Sequence, residues 1–164
     1  MILIALGGNL ASHAGTPSQT LDAALASLAQ NGVRIISVSS YYVTRAWPDP
    51  SDPSFVNAVA HVATNLSPAE LLALLHQTET AFGRARSVRN APRTLDLDIL
   101  DYDGRVEAGL PDLPHPRMTE RGFVLVPLAD VAPDWRHPVT SRSAAELIAA
   151  LPEGERTLPR VPKR

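Results

Sequence analysis

Apolar and polar residues follow two periods in the first hundred positions, one typical of strands and the other of helices. Residues 1–6 are almost continuously apolar and predict a buried strand. The segment TPSQ at 16–19 is a capping box with proline at the first helical position, so we predict a helix that ends at Gly32. Its apolar face is formed by Leu21, Leu25 and Leu28.

Two further strands are predicted on either side of a proline-rich loop. The segment from Val33 to Val43 is rich in β-branched and aromatic residues, and the segment from Phe55 to Thr64 alternates between apolar and polar positions. The loop at 44–54 holds three prolines, so it can be neither a helix nor a central strand.

A second capping box, SPAE at 67–70, opens a second helix that ends near Gly83. The octapeptide RTLDLDIL at 93–100 then predicts a fourth strand, because its apolar residues alternate with aspartates. The order β-α-β-β-α-β is that of the ferredoxin-like α+β fold, in which two helices pack on one face of a four-stranded antiparallel sheet.

The last third of the chain contains many prolines, and we expect it to wrap the core in short elements. Only residues 144–151 carry a clear helical pattern there. The polar tail at 155–164 is expected to fray. With 164 residues, the whole chain fits one domain with a sizeable core.

Composition narrows the possible partners and compartment. The sequence has no cysteine, which suits a reducing compartment and leaves only oxygen and imidazole as metal ligands. The apolar start, MILIALGGNL, is too short to cross a bilayer and has no basic flank, so we expect a cytoplasmic protein. A net charge of −2 provides no overall attraction to nucleic acid or membranes, and we expect a monomer.

The two aspartates of the fourth strand, Asp96 and Asp98, are candidate metal ligands. Side chains at i and i+2 of a strand lie on the same face roughly 6.5–7 Å apart, a gap that divalent cations and their oxygen ligands can fill. The alternative is an exposed polar strand face. That alternative carries a cost, because aspartate is disfavoured in strands and two unpartnered carboxylates repel each other.

An arginine-rich segment, GRARSVRNAPR at 83–93, directly precedes the aspartates. Carboxylates beside several guanidinium groups suit a polyphosphate chelated by Mg²⁺, and the competing interpretation is a surface network of salt bridges. His115 and the segment Arg121-Gly122-Phe123 add an imidazole and a further guanidinium. The turn Gly7-Gly8-Asn9 is weak evidence for phosphate binding, because it lacks the full P-loop pattern.

These motifs together resemble a known family. The segment at 89–98 fits the pattern R-x-[GA]-P-R-x-x-D-L-D without a gap, and ALGGNL at 5–10 and RGFVLVPL at 121–128 also match. The sequence is similar, from ALGGNL at 5–10 to about Pro138, to the 6-hydroxymethyl-7,8-dihydropterin pyrophosphokinases of folate biosynthesis.

The resemblance implies transfer of diphosphate from ATP to the pterin hydroxymethyl group, with two Mg²⁺ ions held by Asp96 and Asp98. The residues implied to line the ATP site are His76, Glu79, Arg84, Arg86, Arg89, Arg93, His115 and Arg121. Those implied to act in catalysis are Arg84, Arg93, Asp96 and Asp98. Those implied to bind the pterin are Thr44, Phe55, Asn57 and Phe123, the two phenylalanines clamping its rings.

Two other functions compete with this one. The ferredoxin-like fold is shared with RNA recognition motifs, and the segment at 121–126 begins like their aromatic strand, although Leu125 stands where a second aromatic is needed. A non-catalytic regulatory domain could have the same fold, because fold does not determine function. Formation of AMP from ATP in the presence of the pterin distinguishes the three.

Overall fold

A computed structural model describes residues 1–84 and 92–162 of the protein. The strands and helices are β1 (Ile2–Gly8), α1 (Pro17–Gln30), β2 (Val33–Val38), β3 (Tyr42–Thr44), β4 (Phe55–Thr64), α2 (Pro68–Ala81), β5 (Asp96–Tyr102), α3 (Gly122–Val131) and α4 (Ala144–Ala149). Short 3-10 helices lie at Met118–Glu120 and Glu153–Glu155. Across these described ranges, no helix is both long enough and apolar enough to cross a membrane.

The strands form one antiparallel sheet in the order β2-β4-β1-β5, and β3 pairs with the remaining part of β4. The prediction of an antiparallel α+β fold is confirmed, but the prediction of four strands was wrong, because the sheet has five strands within residues 1–84 and 92–162. The segment expected to be one strand splits at Ser39. The Ser39 hydroxyl accepts the Val59 N–H at 3.0 Å, where a ladder would use a backbone carbonyl, and β3 then pairs further along β4.

Both predicted helices pack on the same face of the sheet. Each begins at its capping box: Thr16 pairs with Gln19 in α1, and Ser67 with Glu70 in α2. This face buries the larger apolar core, which includes Ile4, Leu6, Leu21, Leu28, Leu71, Leu75, Leu95, Leu97 and Ile99.

Helices α3 and α4 cover part of the opposite face, over a second core that includes Leu3, Val59, Leu100, Val124, Leu125, Leu128 and Leu147. The prediction that only residues 144–151 are helical in this region was incomplete, because α3 also forms. Its β-branched residues and Pro127 disfavour a helix locally. Burial of its apolar residues against the sheet outweighs that preference.

Strand β5 carries the two aspartates and lies at the edge of the sheet. It begins at Asp96 rather than at Arg93, because the Arg93 carbonyl accepts hydrogen bonds from the Asn9 and Leu10 N–H groups at 3.0 and 3.2 Å. Its Leu97 and Ile99 contribute to the core beneath α1 and α2, as their alternation with Asp96 and Asp98 predicts. The aspartates are therefore on the other face.

The C-terminal tail, expected from its composition to fray, lies along β3 over part of its described length. The Val43 N–H donates to the Pro159 carbonyl and the Val161 N–H donates to the Tyr41 carbonyl, each at 2.8 Å. The tail thus occupies the side of β3 that faces away from β4.

Candidate active site

The candidate site lies on the sheet face that carries α3, at the end where β1 finishes. The register places Gly7 of β1 between Asn57 of β4 and Asp96 of β5, and places Ala5 between Val59 and Asp98. A Cβ atom on Gly7 would lie only 2.8 Å from the Asn57 Oδ1 atom. Gly7 and Ala5 have little or no side chain. The sheet surface between the Asn57 amide on β4 and the Asp96 and Asp98 carboxylates on β5 is therefore open to a ligand.

Arginine side chains from the two ends of the arginine-rich segment neutralise Asp96. The Arg84 Nη1 atom lies 2.7 Å from Asp96 Oδ1, and the Arg93 Nη1 atom lies 3.3 Å from Asp96 Oδ2. The Asp96 side chain is 32% exposed, so these pairs remain open to an entering anion. A phosphate could exchange with the carboxylate for the guanidinium groups, because both offer the same fork of oxygens.

Asp98 is less well neutralised than its neighbour. Burial and then the negative charge of Asp96 raise the pKa of the Asp98 carboxyl above its ordinary value, despite the lowering effects of His115, Arg121 and Arg84. Its side chain is still 38% exposed. Two adjacent carboxylates, one of them short of positive charge, are a donor set that fits a divalent cation.

His115 faces the second carboxylate across a gap of 3.8 Å between Nε2 and the Asp98 Oδ2 atom. Its Nδ1 atom accepts the Arg117 N–H at 3.2 Å, so a neutral ring carries its proton on Nε2. Burial lowers the pKa of His115 below the ordinary value, although Asp98 acts in the opposite direction. The imidazole is therefore suited to donate a hydrogen bond into the site.

Arg121 adds a half-buried guanidinium to the same region. Burial and the neighbouring Arg117 lower the pKa of Arg121, which remains a cation because an arginine pKa starts far above neutrality. Its Cζ atom lies 5.5 Å from the centroid of the Phe123 ring. The site therefore has a cationic wall at the start of α3, opposite β5.

Glu79 is buried, with 1% of its surface exposed, and joins α2 to the edge strand. Its Oε1 atom accepts the Leu97 N–H at 2.8 Å and lies 2.7 Å from the Arg84 Nη1 atom. The same Arg84 atom contacts Asp96, so Glu79 holds the guanidinium against the metal-ligand candidate. His76 lies three residues earlier on α2 and is half-buried.

Glu79→Ala is expected to lower the free energy of unfolding by about 2–4 kcal/mol, because a buried N–H loses its acceptor and a largely buried cation loses a partner. Glu79→Gln can still accept from Leu97 and should lose less. Urea unfolding measures the difference, with Gln77→Ala on the exposed side of α2 as the matched control. A loss below about 1 kcal/mol for Glu79→Ala would contradict the structural role of this carboxylate.

The four residues predicted to bind the pterin lie on β3, β4 and α3. The Asn57 Nδ2 atom donates to Thr44 Oγ1 at 2.7 Å across the β3–β4 pair, and Phe55 pairs with Thr44 in the same ladder. Phe123, at the start of α3, is 38% exposed. The structure therefore brings Thr44, Phe55 and Asn57 together, and Phe123 stands beside Arg121.

Two of the predicted ATP-site residues, Arg86 and Arg89, lie outside the described residues. The structure describes the other predicted residues of that site. Among them, Arg84 pairs with Glu79, and Arg84 and Arg93 both pair with the predicted metal ligand Asp96.

Asn9 is a site residue that sequence reasoning missed. It is 4% exposed; its Nδ2 atom donates to the Pro53 carbonyl at 3.0 Å, and its Oδ1 atom accepts the Arg93 N–H at 2.9 Å. One amide thus joins the proline-rich loop to the base of the arginine-rich segment. The sequence feature that could have indicated Asn9 is the Gly7-Gly8-Asn9 turn. Gly8 is required there, because a Cβ atom at this position would lie 2.5 Å from the Thr94 carbonyl oxygen.

The fold and the site define the class of protein: an α+β sheet on which a carboxylate pair faces arginines, as suits a metal-bound polyphosphate. Residues 3–133 match the family described as 7,8-dihydro-6-hydroxymethylpterin-pyrophosphokinase (HPPK). The chain belongs to this family.

Individual relatives agree with the family match. The chain is 44% identical over 162 residues to a 2-amino-4-hydroxy-6-hydroxymethyldihydropteridine pyrophosphokinase of Pseudomonas aeruginosa, covering 96% of each chain. It is 40% identical over 148 residues to the protein of the same name from Synechocystis, covering 89% of this chain and 73% of the relative.

Solved structures support the fold. The wild-type Plasmodium falciparum HPPK-DHPS structure is similar with a TM-score of 0.62 at 13% identity. The similarity covers 89% of this chain and 43% of that one, so the chain spans less than half the length of that structure.

Proposed function

We propose that the protein transfers the terminal diphosphate of ATP to the hydroxymethyl oxygen of 6-hydroxymethyl-7,8-dihydropterin, giving AMP and the pterin diphosphate in folate biosynthesis. The observation that carries the proposal is the Asp96–Asp98 pair, which contacts Arg84, Arg93 and His115 on the same sheet face as the Asn57–Thr44 pair. The family match over residues 3–133 supports it independently.

Asp96 and Asp98 would hold two Mg²⁺ ions on the ATP phosphates. Bound Mg²⁺ would neutralise phosphate charge and fix the orientation of the triphosphate. The carboxylates fit this role because they share a strand face and remain partly exposed, and because the pKa of Asp98 is raised by burial and by Asp96, so that a cation there would relieve repulsion.

The cationic groups would position the triphosphate from both sides. Arg84 and Arg93 can release Asp96 to grip phosphate oxygens, while Arg121 and the Nε2–H of His115 approach from the α3 side. Such fixed donors stabilise charge that develops in the transition state without a cost of reorganisation. The parts of the ATP site assigned to His76, Glu79, Arg86 and Arg89 remain predictions from the resemblance.

The pterin would lie on the sheet surface formed by β3 and β4, on the side of β1 away from β5. The Asn57 amide can both donate and accept along the pyrimidine edge of the ligand, while Phe55 and Phe123 offer flat faces to its rings. The hydroxymethyl oxygen would form a bond to the β-phosphorus, and the bond from that phosphorus to the α,β-bridging oxygen would break. AMP leaves with the electron pair, and the hydroxyl proton passes to water or to a phosphate oxygen.

The test is a reaction of the protein with Mg·ATP and the pterin, in which AMP and the pterin diphosphate should form in equal amounts. ATP without pterin should give no AMP. Absence of AMP in the complete mixture, or its formation without pterin, would overturn the proposal. The RNA-binding alternative is not supported, because the segment at 121–126 lies at the start of helix α3 and in no strand.

We further propose that residues 1–164 act as a single domain, monomeric and cytoplasmic. A length of 164 residues suits one domain, the absence of cysteine suits a reducing compartment, and a net charge of −2 gives no general attraction to nucleic acid or membranes.

Nucleotide binding is expected to tighten pterin binding by about tenfold, because Asn9 joins the loop next to the pterin residues to the base of the arginine-rich segment. Calorimetry with a non-hydrolysable Mg·ATP analogue measures the effect, and the pterin must tighten analogue binding equally. Asn9→Ala should remove most of the coupling, whereas Asn31→Ala, at the end of α1, should preserve it. Equal pterin affinity with and without the analogue in the wild type would contradict this coupling.

A further inference from the structure

The C-terminal strap, defined here as residues 155–162, lies outside the segment that matches the family, which ends at 133. It begins at the last residue of the short 3-10 helix Glu153–Glu155 and runs to the outer side of β3. The Arg156 Nε atom donates to the Leu151 carbonyl at 2.9 Å, which fixes the beginning of the strap against the end of α4.

The strap completes the pairing of β3. That strand has only three residues and pairs with β4 on one side, while on the other side the strap supplies the two backbone hydrogen bonds of 2.8 Å at Val43 and Val161. A three-residue strand at a sheet edge has few contacts of its own, so its position depends on what borders it. The last residue of β3 is Thr44, the partner of Asn57.

Side chains connect the strap to α3 as well. The Arg160 Cζ atom lies 5.6 Å from the centroid of the Tyr42 ring, and its Nη2 atom lies 3.7 Å from Asp130 Oδ1. The Tyr42 hydroxyl donates to Asp130 Oδ2 at 2.7 Å, and the Ser40 N–H donates to the same oxygen at 3.1 Å. Arg160 therefore closes a cluster that ties β3 to Asp130 on α3.

The other end of the strap packs on the beginning of α3. The Gly122 N–H donates to Glu155 Oε2 at 3.4 Å, and a Cβ atom on Gly122 would lie 2.3 Å from the Glu155 carbonyl oxygen. Gly122 lies between Arg121 and Phe123. The strap thus contacts β3 and α3, two of the three elements that carry pterin-side residues, at positions adjacent to Thr44 and to Phe123.

We infer that the C-terminal strap is a positioning element for the pterin half of the site, setting the placement of Thr44 on β3 relative to Phe123 on α3. The inference rests on the proposed function. Its contacts are to the pterin-side elements, whereas Arg84 and Arg93 pair with Asp96, and Asp98 faces His115, on and beside β5. Loosening the strap should therefore affect the two substrates differently.

Two variants test the inference: Arg160→Ala, which removes the contacts of the strap side chain with Tyr42 and Asp130, and Val161→Pro, which removes the backbone hydrogen bond to the Tyr41 carbonyl directly before β3. Each is expected to raise KM for the pterin by about tenfold, with KM for ATP and kcat at saturating pterin changed less than about twofold. The matched control is Arg105→Ala, whose guanidinium also stacks on a tyrosine, Tyr102, and also pairs with a carboxylate, Glu107.

Hydrogen exchange at the Val43 N–H gives a second readout, and both strap variants should accelerate it while Arg105→Ala leaves it unchanged. An unchanged pterin KM, or equal losses for both substrates and kcat, would overturn the inference. If the wild type formed AMP but the variants behaved in either of these ways, only the role of the strap would fail. If the wild type formed no AMP, the proposed function itself would fail.

Discussion

Asp96→Ala and Asp98→Ala are each expected to lower kcat by about 10³-fold or more, the largest effect among our predictions. Loss of a metal ligand removes several kcal/mol of charge stabilisation, and each 1.36 kcal/mol corresponds to a tenfold change in rate. Steady-state turnover at saturating ATP measures the loss, and raising the Mg²⁺ concentration should restore only part of it.

The same variants should remain folded. Burial and then the charge of Asp96 raise the pKa of the Asp98 carboxyl, so Asp98→Ala removes a partly desolvated charge and its repulsion with Asp96 in the metal-free protein. We therefore expect its thermal stability to equal or exceed that of the wild type. Asp134→Ala, at an exposed position next to Trp135, is the control for loss of a surface carboxylate. Near wild-type turnover of either site variant at low Mg²⁺ would disprove the metal-ligand assignment.

Arg93→Ala is expected to lower kcat by about 10²–10³-fold while weakening ATP binding less than about tenfold. The guanidinium lies beside Asp96 at 3.3 Å and would grip oxygens that gain charge as the diphosphate is transferred. Its backbone should stay in place, because the Arg93 N–H and carbonyl are both bonded to Asn9. Pre-steady-state rates and calorimetric binding of a nucleotide analogue separate the two effects.

Arg93→Lys should recover little of the lost rate, because an ammonium group cannot form the planar fork that binds two oxygens at once. Arg117→Ala provides the comparison for a general loss of positive charge, since Arg117 is exposed and near the site. The prediction would be wrong if Arg93→Lys had the kcat of the wild type and Arg93→Ala lost kcat and ATP affinity to the same extent. Arg93 would then contribute only positive charge.

The sequence by itself determined the parts of the fold that depend on neighbouring residues. Both long helices begin at their capping boxes because Thr16 and Ser67 bond to residues only three positions away. The alternation at the start of β5 likewise determines that Leu97 and Ile99 face the larger core while Asp96 and Asp98 lie on the opposite face. Arg84 and Arg93 lie within twelve residues of Asp96, the strand carboxylate with which both pair, so the short segment at 84–96 brings these charges together.

Tertiary structure alone decided the features that depend on distant residues. Strand β3 separates from β2 because the Ser39 hydroxyl replaces a carbonyl in pairing with Val59, twenty residues away. Segment α3 is a helix because it is buried against the sheet, although its β-branched residues and Pro127 disfavour that state locally. Asn9 connects Pro53 and Arg93 over separations of 44 and 84 residues. No local pattern encodes such contacts, because their energies arise only when the folded sheet has brought these segments together.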